Sequence, residues 1–130
     1  VSEVDKFVRE WAFNTGIYHA AYSRDQLING RAPGQVGRAV FNGFHGERGA
    51  DMILIAKPFV IPTYGNGGTT HGSPYNYDTH VPILFFGQGV KPGRYDDEFY
   101  ITDIAPTLAA ILKVELPSGS IGRPFTKMIR

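Results

Sequence analysis

Four apolar positions open the chain at helical spacing. Val4, Phe7, Val8 and Trp11 fall at i, i+3, i+4 and i+7, which predicts one helical face buried against something. Ser2 is placed to cap that helix and Gly16 to stop it. "GIYHAAY" reads as a short strand, and Arg24 to Ile28 as a brief helical turn. Gly30 to Gly34 then read as a turn. Val36, Ala39, Val40 and Phe44 form a weaker helical stripe that ends near Gly43 to Gly46. "DMILIAKP", Asp51 to Pro58, is a short apolar run closed by proline, the pattern of a fully buried strand.

A second apolar run, "HVPILFFG", predicts another strand. Pro82 cannot donate to a ladder and belongs at that strand's start or on an edge. Between the two runs lies a long glycine-rich stretch without helical period, and loops of that length in a compact domain are usually functional or disordered. Ile104, Leu108, Ile111 and Leu112 mark a third helix. Asp103 or Thr102 caps it, Pro106 is tolerated in its first turn, and Lys113 suits its C-terminus. "LPSGSIGRPF" reads as loop with at most one last edge strand. The fold class is therefore α/β: few strands with flanking helices, a thin sheet that looks like one end of a larger sandwich. The organisation is one domain, or a fragment of one, over residues 1–130.

Composition narrows the function. The chain is 42% apolar and 19% charged, a globular balance. Net charge is +1 with scattered basic residues, so there is no electrostatic footprint for nucleic acid. No apolar run is long enough to span a bilayer. Cysteine is absent, so a metal would need His, Asp or Glu ligands. No signal peptide is visible, and an N-terminal Val in "VSEVDKFVREW" reads as a piece cut from something longer, or as a mature product.

The chemistry concentrates in "GTTHGSPYNYDTHVPILFFG", Gly68 to Gly87. His71 sits between small residues that let the backbone fold tightly around a ligand. Asp78 and His80 follow, and imidazole with carboxylate suits Zn²⁺. On residue type alone, a loop histidine is more often a surface or hydrogen-bonding group than a ligand. His80, abutting the expected strand, reads as a packed, hydrogen-bonded histidine. Tyr75 and Tyr77 either line a pocket or cover the sheet end. Thr69, Thr70 and Ser73 lack the histidine–acid pattern of a nucleophile. His19 and His45 have no metal-like spacing. A catalytic zinc needs about three protein ligands, so the chain is not expected to build a hydrolytic centre alone.

The same stretch, followed by "GVKPGRYDDEFYITDIAPTLAAILKVELPSGSIGRPF", resembles the C-terminal part of the alkaline phosphatase superfamily. The closest branch is the bacterial alkaline phosphatases similar to type I phosphodiesterase/nucleotide pyrophosphatases. "YSRDQL" and "GADMILIAKP" fit the region upstream, so the resemblance covers essentially the whole chain. It implies an α/β sandwich around a large central sheet, with two zinc ions at its edge. A Thr or Ser nucleophile between them forms a covalent phospho-enzyme. The histidine of the "THG" motif completes one zinc site, which places that role at His71. Asp78 and His80 then support the loop.

The family's nucleophile, metal-binding aspartates and Asp-His pair lie earlier in such chains and are not in this sequence. The resemblance thus implies a C-terminal fragment of a zinc-dependent phosphate monoester hydrolase that contributes one ligand and is not catalytically complete. The implied partners are the rest of the parent chain and a phosphate ester; separately, the apolar runs Met52 to Ala56 and Val81 to Phe86 predict an exposed sheet edge that invites self-association. The implied compartment is periplasmic or extracellular. The competing readings are a sulfatase or phosphodiesterase of the same superfamily, and a non-catalytic interaction domain.

Overall fold

A computed structural model describes residues 2–61 and 65–130. The chain divides into two compact units, Val1–Val81 and Pro82–Arg130.

In the first unit, helix α1 spans Glu3–Asn14. Ser2 caps it as expected. Its Oγ accepts from the Asp5 amide at 3.0 Å, and Asp5 accepts from the Ser2 amide at 3.1 Å, a reciprocal box that satisfies two orphan donors. The apolar stripe forms but is only partly covered: Val8 is half-buried and the Trp11 ring meets Tyr18 at 6.1 Å. Val4 and Phe7 are each 69% exposed and Trp11 is half exposed, while the small Ala12 faces the interior.

Strand β1, Tyr18–Ser23, pairs antiparallel with β2, Met52–Ala56. The register runs from Ser23 opposite Met52 to Ala20 opposite Ile55. A shift between Ala20 and Tyr18 leaves His19 out of the ladder. Helix α2, Arg24–Ile28, follows β1 without a gap because Ser23 ends the strand and caps the helix in a box with Gln26. Arg24 then staples the entry to β2. Its Nε donates to Asp51 at 3.0 Å, and its remaining nitrogens donate to the Gly46 and Gly49 carbonyls. Helix α3, Gly34–Asn42, lies between. The expectation of a fully buried β2 is corrected: all five residues are half-buried. Among the described residues only β1 pairs with it, so one edge has no ladder partner.

The first unit closes with α4, Asn76–Thr79. In the second unit the expected strand over "HVPILFFG" is absent: residues 81–86 have no regular structure, and Leu84 is 91% exposed. A strand exists by its ladder. Pro82 has no amide to give, and no described segment supplies a partner. The unit is held instead by edge-to-face aromatic contacts. Phe85 meets Phe99 at 6.0 Å, Phe99 meets Phe125 at 5.6 Å, and Tyr95 meets Phe125 at 5.4 Å. Helix α5, Ile104–Leu112, ends at Lys113, which is left-handed at φ 56°. The last edge pairing is a single bridge between Val90 and Ile129.

Asp103 precedes α5, yet its side chain does not cap it. It accepts from the Tyr100 amide at 3.0 Å and from the Arg123 amide at 2.8 Å. One turn on, the fully buried Thr107 accepts through Oγ1 from the Phe125 amide at 2.9 Å. Gly122 lies so close to Thr102 that a Cβ there would overlap its carbonyl. The "TDIAPT" and "GRPF" segments are thus one clamp.

Candidate functional site

The polar cluster folds as a loop fastened to the carboxyl end of β2. Tyr75 Oη donates to the Ala56 carbonyl at 2.6 Å, and its ring meets the out-of-ladder His19 edge-on at 6.4 Å. Burial, then the nearby phenols of Tyr77 and Tyr22, push the Tyr75 hydroxyl above its ordinary pKa, so it stays a neutral donor. Tyr75 therefore covers the sheet end, one of the two roles expected for it.

Asp78 ties the loop to itself. Its Oδ2 accepts from the Ser73 amide at 2.8 Å. The Ser73 hydroxyl and that amide, with help from the His71 imidazole, hold the Asp78 carboxyl below its usual range. The hydroxyl lies near the carboxylate, and Ser73 Oγ completes no hydrogen bond among the described residues. Asp78 belongs to α4, whose turn is closed by the Asp78 and Thr79 amides bonding to the Tyr75 carbonyl.

His71 precedes Gly72, which is left-handed at φ 97°, a conformation that favours glycine. The histidine is exposed, and its imidazole lies within electrostatic reach of Asp78. It has no hydrogen-bond partner among the described residues. His80 departs from expectation. It ends α4 with its amide on the Asn76 carbonyl at 2.9 Å, but its side chain is exposed, because the strand expected to pack it does not form. The structure thus brings His71, Ser73 and Asp78 together and leaves His80 aside. Among the described residues no three His, Asp or Glu side chains converge to hold a metal ion. The residues present fit one corner of a metal site, an accessible imidazole beside a carboxylate.

Sequence reasoning passed over Phe59. It is left-handed at φ 62° and stacks on Tyr77, with centroids 4.9 Å apart and planes at 28°. Its amide donates to Tyr77 Oη at 3.2 Å. No residue pattern announces a phenylalanine in that conformation.

A fragment of an α/β fold, with a polar loop fastened at the end of a strand, is the class of protein these elements define. No family model matches the chain, but individual proteins do. It is 37% identical over 82% of its length to alkaline phosphatase PafA of Elizabethkingia meningoseptica, and 40% identical over 75% to alkaline phosphatase PhoV of Synechococcus elongatus. A Myroides odoratus protein named as a calcium-transporting ATPase is 45% identical over 69%. The crystal structure of wild-type PafA superposes with a TM-score of 0.85 at 33% identity, covering 98% of this chain and 25% of that one. The chain belongs to the alkaline phosphatase superfamily, and it spans about a fifth of the length of the curated relatives it matches.

Proposed function

We propose that this chain is the C-terminal part of the catalytic domain of a zinc-dependent phosphate monoester hydrolase, that it supplies one metal ligand, His71, and that the enzyme works in the periplasm or outside the cell. The observation that carries the reading is the loop itself. Tyr75 fixes it to the end of β2 and Asp78 fixes its turn, while His71 is exposed and spends no nitrogen on a hydrogen bond to any described residue. In open α/β sheets, ligands gather beyond the carboxyl ends of strands. Zinc bound there would supply charge neutralisation at phosphoryl oxygens. The chain's own residues hold the ligand. Asp78 keeps the loop closed and sets a negative charge beside the imidazole, and Tyr75 ties the loop to the Ala56 carbonyl. Nucleophile and remaining ligands come from the rest of the polypeptide, the partner that the relatives' greater length supplies.

The test is a pair of substitutions in the longer enzyme, followed by metal content and monoester turnover. His71→Ala should lose about one zinc equivalent and well over 10-fold in rate, given that even residues supporting a ligand are worth roughly 10–100-fold. His80→Ala should keep its metal. Full metal content in His71→Ala, or loss of metal only in His80→Ala, would overturn the assignment.

A further inference from the structure

The loop that carries His71 meets the end of β2 at two points, and both bonds lie wholly within this chain. Tyr75 Oη donates to the Ala56 carbonyl at 2.6 Å, and Tyr77 Oη accepts from the Phe59 amide at 3.2 Å. One hydrogen bond is a pivot; a second at another point fixes orientation as well. The loop is also closed on itself. The Tyr75 carbonyl accepts from the Asp78 and Thr79 amides at 2.9 and 3.0 Å and from Thr79 Oγ1 at 3.2 Å. The Ser73 amide donates to Asp78 at 2.8 Å, which joins the two ends of the turn. Only Gly72 separates that closed turn from His71. Phe59 bears the mark of the attachment. Its backbone is left-handed at φ 62°, and strain of that kind in a bulky residue persists where surrounding structure fixes it.

We propose that Tyr75 and Tyr77 are positioning residues that set His71 in place before any metal arrives, so that metal affinity depends on two phenol hydroxyls that are not ligands. This rests on the reading of His71 as a metal ligand. Ordering a loop on binding costs conformational entropy, and a loop already held in its bound form raises affinity by avoiding that cost. The two attachments are distinct. The tyrosine rings lie 5.7 Å apart between centroids with planes at 32°, and each bonds a different backbone group, Ala56 at the end of β2 and Phe59 beyond it. The net worth of one hydrogen bond corresponds to about 2- to 12-fold in an equilibrium constant, which is the fall in metal affinity expected from losing either hydroxyl.

The experiment uses the longer enzyme with Tyr75→Phe and Tyr77→Phe, each of which deletes one oxygen and keeps the ring. The readouts are amide hydrogen exchange at Ser73, Asp78 and Thr79 in the metal-free protein, zinc affinity against a competing chelator, and turnover at saturating zinc. In the wild type these amides should be protected with and without zinc. Each variant should speed their exchange in the metal-free form and weaken zinc binding about 2- to 12-fold, with turnover restored once zinc saturates. Tyr100→Phe is the control. It deletes a phenol that donates to Glu98 at 2.7 Å in the second unit and should change neither exchange in the loop nor zinc affinity. Wild-type loop amides that exchange freely without metal and gain protection only with zinc would overturn the proposal, since metal would then order the loop. So would a zinc affinity unchanged in both variants, or lowered as much in Tyr100→Phe. Full zinc content in His71→Ala would overturn the ligand reading alone; faster loop exchange confined to the Tyr75 and Tyr77 variants would still uphold the two-point anchoring.

Discussion

Replacing Thr107 by valine changes one atom group in a fully buried position. The swap keeps the branched shape and deletes the oxygen that accepts from the Phe125 amide at 2.9 Å. That amide is part-buried beneath two edge-to-face rings, Tyr95 and Phe99, packed on Phe125, so water replaces the lost acceptor poorly. An unsatisfied buried donor costs about 1–3 kcal/mol, or roughly 5- to 140-fold in a local opening equilibrium. Thr107→Ser keeps the acceptor and loses one methyl group, worth about 0.8 kcal/mol. The two variants therefore separate hydrogen bonding from packing. The assay is amide hydrogen exchange at Phe125, with the Val90 and Lys91 amides as an internal control elsewhere in the second unit. Valine should accelerate exchange at Phe125 far more than at Val90 and Lys91, and serine should move all three alike. Wild-type protection at Phe125 in Thr107→Val would show that the clamp does not depend on this bond.

Two further predictions follow from the same clamp. Gly122→Ala should destabilise the second unit more than an exposed alanine substitution does, because the added Cβ meets the Thr102 backbone and not a movable side chain; an unchanged denaturation midpoint would refute it. Asp103 gives a pH dependence: the Arg123 amide, then the Tyr100 amide, hold its carboxyl below the ordinary value. A depressed folded pKa means stabilisation that is complete above the unfolded value, about 3.9, and drains as pH falls through the folded one. Asp103→Asn should lower the denaturation midpoint at pH 7 and converge with the wild type in acid.

What could be read from the residues was whatever the local chain decides. Ser2 and Ser23 cap helices through their own neighbours three residues on, and the period of Val4, Phe7, Val8 and Trp11 is enough to fix a helix. The Ile104 to Leu112 helix was legible for the same reason. "HVPILFFG" was not, since an apolar run becomes a strand only when another strand presents its edge, and that partner is not written in the run. Asp103 misled in a related way. An aspartate before a helix is a cap by local rule, but the approach of Arg123 twenty residues later offers its carboxylate a better donor. "TTHG" and "YDTH" bracket a loop whose turn Asp78 closes on Ser73. The separation of His71 from His80 depended on whether a strand formed after His80, and Phe59 depended on a backbone angle that residue type argues against.

The surface of the chain is larger than a compact fold of its mass requires. A compact 14.3 kDa body should expose about 6,800 Å², and two separate bodies of the sizes of its units about 8,200 Å². The chain exposes 10265 Å². The excess does not depend on how the units are arranged. Large apolar residues that the pattern had marked for burial are among those exposed, including Phe7 and Trp11 on α1 and Leu84 and Phe86 in the segment without a partner. Among the described residues the buried apolar side chains are few and mostly small: Ala12, Ala21 and Ala109 beside Leu27, Pro106 and Met128. Polar loops alone would not produce this imbalance. Helical and strand periods are kept where no described residue answers them, which is the pattern of a surface shaped to meet more of the same fold. The PafA chain, of which this one matches a quarter at a TM-score of 0.85, has the length to supply it. Under the proposal that His71 ligates a metal, an imidazole without companion ligands and an apolar helix face without a cover have the same origin, since the elements that complete a sheet would also bring the residues that complete a site at its edge.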